Sequence, residues 1–341
     1  MNTKAVLSTL LVAAFGMVAA VPAATAQELN VYSARHYQTD EALYGEFTRQ
    51  TGIRINRIEA RDDELVERLR NEGANSPADV LITVDASRLA AADAMGLFAP
   101  VRSAVLEARI PAHLRTDTWI AFSTRARMIV FNPQLVKAEQ VQTYEGLADR
   151  TLKGLVCTRS GSHPYNLSLG AALINHIGAD KTEEWARGMV ANFARSPRGG
   201  DTDQIRSVAA GECGVAIANS YYFARLLNSD KPEDRKVIES VGFVWPNQQS
   251  WGTHINVSGA GMLKHSPNKD AAVKFLEYLA SDPAQVYFAD GNNEWPAVAG
   301  VKIENKALAT MGDFKADTLP ISDLAGHVSD AQRIYDRAGY R

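Results

Sequence analysis

Two adjacent tyrosines, Tyr221 and Tyr222, are the residues of this sequence best placed to do chemistry together. They stand in the run GVAIANSYYFARLL, where an apolar strand-type segment at 215–218 meets a helix-type segment that Asn219 and Ser220 can cap. Neighbours in a strand point to opposite faces, whereas in the first turn of a helix they diverge by about 100° and both can face a cleft. The helix N-terminus also favours an anion such as phenolate. Taken alone, the pair also fits amphipathic tyrosines packed at a surface.

Two further segments have the same strand-to-helix corner. The first, VYSARHYQTD at 31–40, carries His36 and Tyr37, and the second, CTRSGSHPYNLSLGAAL at 157–173, carries Tyr165. In open α/β sheets the ligand binds at the carboxyl ends of the strands. We therefore expect the four tyrosines of the three corners to converge on one cleft, with the histidine beside them.

Four phenols and an imidazole suit a hard, highly charged metal ion. Free tyrosine has a pKa near ~10, so it becomes a ligand only when a cation such as Fe3+ stabilises its phenolate. Tyrosine oxygen is also an axial ligand of haem iron. Zinc would call for more His and Cys, and calcium for carboxylates. A sugar site, which uses aromatic faces together with Asp, Asn and Arg, stays open at this point.

Five other polar residues have competing interpretations. His254 fits a strand or hinge position better than a ligand position, and Asp85 fits a helix N-cap. Three arginines are expected to balance phenolate charge, to hold an anion, or simply to be solvated or ion-paired. They are Arg35, Arg125 and Arg225.

Strand-type and helix-type segments alternate along the chain, which predicts parallel, doubly wound sheets. The predicted strands are 29–32, 53–58, 80–84, 155–158 and 215–218. The predicted helices are 40–47, 62–72, a segment starting near 86, 166–177, 180–193, 202–210, 267–280, 282–290 and 322–338. Two β-rich runs, at 119–133 and 241–263, are expected to carry the chain between two α/β lobes with a cleft between them.

The first 26 residues have the pattern of a signal peptide. Lys4 precedes an apolar run, and Ala24-Thr25-Ala26 offers a cleavage site, so we expect cleavage after Ala26 and export to the periplasm. No cysteine follows this segment, so no lipid anchor is expected. The formal net charge is −3 and no basic stripe is present, which argues against nucleic acid as a partner.

The sequence contains two cysteines, Cys157 and Cys213. Each lies in or beside a predicted strand that leads to a tyrosine corner, and export permits a disulfide. We therefore predict a bridge between neighbouring strands of the second lobe.

Catalytic motifs are missing from the sequence. It has no G-x-S-x-G, no H-E-x-x-H and no G-x-x-x-x-G-K. An iron-dependent periplasmic hydrolase would need an open coordination position and several His or Asp ligands, yet the seven histidines are scattered. We therefore expect a binding protein rather than an enzyme.

Over essentially its whole mature length, the chain resembles periplasmic ferric-iron-binding proteins of the FbpA/FutA type, the substrate-binding components of ABC importers. The matching segments are SARHYQTD, EGANSPADVLITVD, NFARSPRGGDTDQI, the YY of ANSYYFARLL, GTHINVSGAG and the closing DRAGYR. The resemblance implies that Fe3+ binds to Tyr37, Tyr165, Tyr221 and Tyr222, and that His36 can also coordinate.

The resemblance also implies a fold and a role. The fold would be the two-lobed periplasmic binding protein (class II type), with each lobe a doubly wound mixed sheet flanked by helices. The expected lobes are 27–125 plus 245–300 and 126–244 plus 301–341. The protein would be a monomer that delivers Fe3+ to an inner-membrane ABC permease and its ATPase. A periplasmic protein that binds another small ligand, an organic anion or a polyamine, is the alternative.

Overall fold

The computed structural model describes residues 27–35 and 37–341. The predicted signal peptide, residues 1–26, and the predicted ligand His36 lie outside the described residues. Among the described helices, none has both the length and the apolar character that a membrane crossing requires.

A mixed β-sheet runs through the described part of the chain. Its strand order is β2-β1-β3-β8-β4-β6-β5, and β7 and β9 also pair with β4. β1 is parallel to β2 and β3, β8 is antiparallel to β3 and β4, and β6 is antiparallel to β4 and parallel to β5. The strands are β1 (Glu28–Ser33), β2 (Arg54–Glu59), β3 (Val80–Thr83), β4 (Trp119–Phe131), β5 (Val156–Cys157), β6 (Val215–Asn219), β7 (Gly242–Val244), β8 (Ile255–Met262) and β9 (Trp295–Pro296).

Helices flank this sheet, which confirms the predicted α/β class. The α-helices are α1 (Asp40–Thr51), α2 (Asp62–Glu72), α3 (Ala86–Ala94), α4 (Ala104–Arg109), α5 (Pro164–Ile177), α6 (Ala179–Ala191), α7 (Asp201–Ala209), α8 (Ser220–Leu227), α9 (Pro232–Glu239), α10 (Lys269–Leu279), α11 (Asp282–Asn292), α12 (Lys306–Met311) and α13 (Ile321–Ala338). Short 3-10 helices lie at Gly73–Asn75, Ala112–Leu114, Ala138–Val141, Glu145–Ala148 and Arg150–Leu152.

The long strand β4 belongs to two groups of strands. Its residues from Trp119 to Ala126 pair with β8, and those from Arg127 to Phe131 pair with β6. All 13 residues of β4 are buried. A strand buried on both faces needs a nearly continuous apolar run, which is why the β-rich pattern at 119–133 was visible in the sequence.

The described residues form three hydrophobic core clusters. The largest lies around β1, β3, β8 and the helices α1, α10 and α11. The other two cover opposite faces of β4 and β6, because successive side chains of a strand point to opposite sides. Ile129 and Ile217 belong to one of them, and Met128 and Ala218 belong to the other. The sheet around β6 is therefore covered on both faces, as a doubly wound sheet requires.

Cys157 and Cys213 form a disulfide, as predicted. Cys157 ends β5, Cys213 precedes the parallel neighbour β6, and their α-carbons are 5.8 Å apart. The bridge ties together the two strands that lead to Tyr165 and to Tyr221.

Candidate metal site

Tyr221 and Tyr222 lie in the first turn of α8, directly after β6, as predicted. Their ring centroids are 4.2 Å apart and their planes are inclined by 31°. Tyr221 is 2% exposed, while Tyr222 is half-buried. The corner therefore turns both phenols to the same side of the sheet edge, which a continued strand would not do.

The predicted side-chain caps of this helix are wrong. Asn219 occupies the N-cap position, but its side chain makes no capping hydrogen bond. Its Oδ1 instead accepts from Arg127 Nη1 at 3.2 Å, and the Oγ of Ser220 accepts from the backbone N–H of Ala126 at 3.1 Å. These hydrogen bonds fasten α8 to β4 and leave neither side-chain oxygen as a cap of the helix.

Tyr165 lies in the first turn of α5, and His163 is the N-cap of that helix. The Nδ1 of His163 accepts from the N–H of Tyr165 at 3.2 Å, and the two ring centroids are 4.5 Å apart. Burial, with help from Arg159 and Arg127, lowers the pKa of His163 to about 3. The imidazole is therefore neutral and able to accept this hydrogen bond.

The phenols of Tyr165 and Tyr221 meet directly, with 3.1 Å between their Oη atoms. The two tyrosines are 56 positions apart in the chain and lie on different helices, α5 and α8. Among the described residues, this is the hydrogen bond that joins two predicted ligands directly. We take it as the centre of the candidate site.

Tyr37 joins the other three from the loop between β1 and α1. Burial is the main cause of the raised pKa values of Tyr37, Tyr165 and Tyr221, and neighbouring phenols add to the rise: Tyr222 raises the pKa of Tyr37, and Tyr37 raises those of Tyr165 and Tyr221. All four predicted tyrosines are therefore brought together, whereas His36 lies outside the described residues.

The buried phenols hold their protons tightly in the metal-free protein. Burial, with a contribution from Glu294, raises the pKa of Tyr37 to about 12. Burial also raises the pKa values of Tyr165 and Tyr221 above the ordinary value, and neighbouring phenols add to the rise. A cation that binds here must displace these protons.

Arginines surround the tyrosine rings. The guanidinium carbon of Arg35 is 4.6 Å from the ring centroid of Tyr37. Further arginines lie 5.1–6.0 Å from the other three rings, and these are Arg125, Arg127, Arg159 and Arg225. Arg35 and Arg125 are buried, and Arg225 is exposed. Nearby positive charge lowers the cost of forming phenolates.

Glu294 is a buried residue of the site that the sequence did not reveal. It is 0% exposed, and its Oε2 accepts from Arg35 Nη1 at 3.0 Å and from Ser123 Oγ at 2.7 Å. Its Oε1 lies 3.7 Å from Arg125 Nη1. One carboxylate thus lies between the arginine beside Tyr37 and the arginine that faces Tyr165.

Asp201 has a similar role on the other side of the site and was also missed. Its carboxylate pairs with Arg127 at 2.7 Å and with Arg159 at 3.1 Å. The sequence does carry one signal for such partners, because Arg125 and Arg127 interrupt the apolar run WIAFSTRARMIVF at alternate positions. Buried arginines in a central strand require buried carboxylates.

Two of the competing interpretations are resolved by the structure. Asp85 is the N-cap of α3, where its Oδ1 accepts from the N–H of Ser87 at 2.8 Å, as expected. His254 immediately precedes β8 and is buried, and its Nε2 has no hydrogen-bond partner among the described residues. Burial lowers the pKa of His254 to about 3.

Within the described residues, no three His, Cys, Asp or Glu side chains are arranged to hold a metal ion. The convergent oxygens of this cleft are phenols instead. The arrangement therefore offers a site for a hard trivalent cation and is poorly suited to zinc or calcium.

Comparison with known proteins agrees with this geometry. Residues 42–317 match the family described as bacterial extracellular solute-binding protein. Iron uptake protein A1 of Synechocystis is 49% identical over 317 residues, which cover 92% of this chain and 88% of that protein. The major ferric iron-binding protein of Neisseria meningitidis is 28% identical over 288 residues, which cover 83% of this chain and 84% of that protein.

The solved structure of Trichodesmium FutA (IdiA) in complex with iron and citrate has the same fold. It is 49% identical to this chain. The match covers 92% of this chain and 100% of that chain, and the TM-score is 0.88. The predicted two-lobed fold is thereby confirmed. The chain belongs to the bacterial extracellular solute-binding protein family and, within it, to the periplasmic ferric-iron-binding proteins of the FbpA/FutA type.

Proposed function

We propose that this protein captures Fe3+ in the cleft between its lobes through the phenolates of Tyr37, Tyr165, Tyr221 and Tyr222. The observation that carries the proposal is the 3.1 Å approach of the Tyr165 and Tyr221 oxygens. Both phenols are buried, and among the described residues the hydrogen bond that each makes is to the other. A shared cation explains why they converge.

Charge supports a trivalent ion. Four phenolates carry four negative charges, which Fe3+ nearly neutralises and which a divalent ion would leave half uncompensated. The surrounding arginines offset the remaining charge. We expect Fe3+ to be preferred over Fe2+ and Zn2+ for this reason and because phenolate is a hard ligand.

The imidazole of His36 is proposed as an additional ligand. It precedes Tyr37 in the chain, so the same loop would deliver both groups to the metal. A water molecule can occupy the same coordination position, and the contribution of His36 is therefore expected to be the smallest of the five.

Transport is the proposed role of the bound iron. Relatives of this chain are named as iron uptake and ferric iron-binding proteins, and one solved relative holds iron and citrate. We propose that the signal peptide is cleaved after Ala26 and that the periplasmic, monomeric protein passes Fe3+ to an ABC permease and its ATPase. Iron is the cargo in this scheme, and no catalytic step is proposed.

The lobes are proposed to comprise residues 27–125 plus 245–300 and residues 126–244 plus 301–341. The pairing of β4 supports the first boundary, because its partner changes from β8 to β6 between Ala126 and Arg127. With these boundaries Tyr37 belongs to one lobe and the other three tyrosines belong to the second.

An Fe3+ titration followed by visible absorption tests the proposal. Iron supplied as its citrate complex should produce a phenolate-to-iron charge-transfer band that saturates at one Fe3+ per protein. The matched control is Tyr278→Phe, because Tyr278 is a buried tyrosine that donates to the carbonyl of Leu43 and lies outside the candidate site. This variant should keep the band. Saturable binding of an organic anion or polyamine, without a band, would favour the alternative function.

A further inference from the structure

Three consecutive residues, Asn292, Asn293 and Glu294, form a turn at the end of α11 that we call the 292–294 turn. Asn293 has a φ of 58°, in the left-handed region that asparagine tolerates better than most residues. Backbone hydrogen bonds close the turn, from the N–H of Asn293 to the carbonyl of Ala289 at 3.0 Å and from the N–H of Glu294 to that of Phe288 at 3.1 Å. The reversal sends the three side chains in different directions.

Asn292 holds the segment that follows Tyr37. The hydroxyl of Thr39 donates to its Oδ1 at 2.6 Å, and its Nδ2 donates to Asp40 Oδ1 at 3.1 Å. Thr39 and Asp40 mark the start of α1, so this amide fixes where the loop of Tyr37 ends.

Glu294 holds the segment that precedes Tyr37. Its carboxylate pairs with Arg35 at 3.0 Å, and the guanidinium of Arg35 lies against the ring of Tyr37. Arg35 also donates to Asp40, a buried residue, at 2.8 Å. Tyr37 is therefore anchored to the 292–294 turn on both sides.

Asn293 reaches the helix of the tyrosine pair. Its Oδ1 accepts from Asn228 Nδ2 at 2.8 Å and from Asn305 Nδ2 at 2.8 Å. Asn228 is the C-cap of α8, whose first turn carries Tyr221 and Tyr222. The same turn thus touches both parts of the candidate site.

These contacts are enclosed by protein. The exposed fractions of Asn292, Asn293 and Glu294 are 7%, 8% and 0%. Buried polar groups with partners on several elements fix the relative positions of those elements, because any shift leaves a polar atom unpaired. A turn that served only to connect α11 to β9 would need none of the three side chains.

We propose that the 292–294 turn is a positioning element of the site, which sets Tyr37 at the correct distance from Tyr221 and Tyr222 when the lobes are closed. The inference rests on the proposed function, since it assumes that these tyrosines share one Fe3+. The turn itself does not touch the metal and acts through Tyr37.

A double-mutant cycle between Asn292→Ala and Tyr37→Phe tests this role. Alanine removes both hydrogen bonds to the loop and favours the helical conformation at the end of α11. Loss of a residue that orients a metal ligand typically lowers metal affinity about 10–100-fold, so we expect roughly a tenfold loss of Fe3+ affinity, measured by competition with citrate. In the Tyr37→Phe background, the same change should cost less than about twofold, because the residue that it positions no longer coordinates.

The charge-transfer band gives a second readout that a loss of stability alone would not change. Asn292→Ala should shift the band maximum of the iron complex toward that of Tyr37→Phe. Asn293→Gly, which keeps the left-handed backbone but removes the side chain, should shift it in the same direction. Glycine adopts this conformation readily, so the variant is expected to fold.

The matched control is Asn247→Gly, because Asn247 is the other non-glycine residue with positive φ among the described residues. Its side chain accepts from the N–H of Tyr144 and has no contact with the loop of Tyr37. This variant should affect Fe3+ affinity equally in the wild-type and Tyr37→Phe backgrounds and should leave the band unmoved.

The outcomes separate the two proposals. Equal losses from Asn292→Ala in both backgrounds, with an unshifted band, would overturn the positioning role while leaving iron binding intact. A wild-type protein that shows no band with Fe3+ would overturn both. A loss confined to the protein that retains Tyr37, together with a shifted band, would establish the role.

Discussion

A phenol coordinates iron only as its anion, and the buried phenols of this site are far from ionised at neutral pH. With the pKa of Tyr37 raised to about 12 and those of Tyr165 and Tyr221 raised above the ordinary value, Fe3+ must displace their protons. Proton release makes iron affinity rise with pH and fall on acidification, because protons and metal compete for the same oxygens.

We therefore predict that binding of one Fe3+ releases about four protons from the wild-type protein and about one fewer from Tyr37→Phe. A pH indicator in weakly buffered solution measures the release. Iron is added as the same citrate complex in both titrations, so the contribution of citrate cancels in the difference. Equal release by the two proteins would show that Tyr37 is not a ligand.

Single Tyr→Phe substitutions should have unequal effects. Tyr221→Phe and Tyr222→Phe remove ligands that share a helix and should lower Fe3+ affinity by more than about 100-fold, since loss of an outer partner alone costs about 10–100-fold. Tyr37→Phe should retain weaker, coloured binding, and His36→Ala should be milder still because water can replace a neutral imidazole. Citrate competition with absorption detection gives the ranking. Wild-type affinity in Tyr222→Phe would contradict it.

Residue patterns could reveal the tyrosines but not the groups that hold them. Each tyrosine lies at a corner where a recognisable strand leads into a helix, so its place at the sheet edge could be predicted. One partner of Arg35, Glu294, lies 259 positions away, and no local pattern connects them. The site could therefore be predicted as a set of ligands, whereas its buried counter-charges required the fold.

At the scale of helices and strands, the sequence predicts the elements that have a strong hydrophobic periodicity or clear start and stop residues. Residues 62–72 were expected as a helix and form α2 with the same bounds, since Leu65 and Leu69 face the core and Gly73 ends the helix. The short helices α4, α9 and α12 were not predicted, because six to eight residues give too few turns for a 3.6-residue period to show. The β-rich run 241–263 is two strands separated by a turn at Asn247.

The disulfide acts on the elements that lead to the site rather than on the metal. Cys157 and Cys213 are 56 positions apart, and closing a loop of this length lowers the entropy of the unfolded chain by an amount worth about 4 kcal/mol at most. We expect the double variant Cys157→Ser, Cys213→Ser to lose about 2–4 kcal/mol in its free energy of urea unfolding. It should keep the charge-transfer band of its iron complex. Loss of the band in folded protein would mean that the bridge positions Tyr165 or Tyr221.

His254, which immediately precedes β8, should make the stability of the folded protein sensitive to acid. The folded protein holds the pKa of His254 at about 3, against an ordinary value of 6.5, because the ring is buried and lies near Arg127. Below pH 6.5 the unfolded chain takes up a proton that the folded protein excludes. The stability that is present above pH 6.5 is therefore lost progressively as pH falls toward 3.

Between pH 7 and pH 5, this histidine should account for about 2 kcal/mol of lost unfolding free energy. His254→Phe should reduce the difference between urea unfolding at the two pH values by about that amount, whatever its effect on stability at pH 7. His163, whose pKa is also lowered to about 3, contributes to the loss of stability at low pH in the same way. The His254→Phe variant retains this contribution. An unchanged difference would show that His254 is protonated in the folded state.

At the scale of the whole molecule, several elements join the two halves. β4 changes partners midway along its length. The helix α13 contributes Ile321 and Leu324 to the first hydrophobic cluster and Ile334 and Tyr335 to the second. Such shared elements connect the halves, and rotation about connections of this kind is a common way for a cleft to change its width.

Iron should therefore control the distance between the lobes. In the proposed arrangement, Tyr165, Tyr221 and Tyr222 hold Fe3+ from the second lobe while the cleft is open, and Tyr37 coordinates only when the first lobe approaches. Because the metal gains a ligand in the closed state, it binds that state better and shifts the population toward it. Under the proposed role in transport, a permease would then distinguish loaded from empty protein by shape.

The corresponding prediction is a decrease in the radius of gyration when Fe3+ is added to the wild-type protein, measured by small-angle X-ray scattering. Tyr37→Phe should bind iron and show its colour yet lose most of this compaction, because its first lobe offers no phenolate to the metal. Tyr278→Phe, with its hydroxyl lost far from the cleft, should close like the wild type. Normal compaction of iron-loaded Tyr37→Phe would mean that contacts other than the Tyr37 phenolate drive closure, and the division of the ligands between the lobes would then have no role in it.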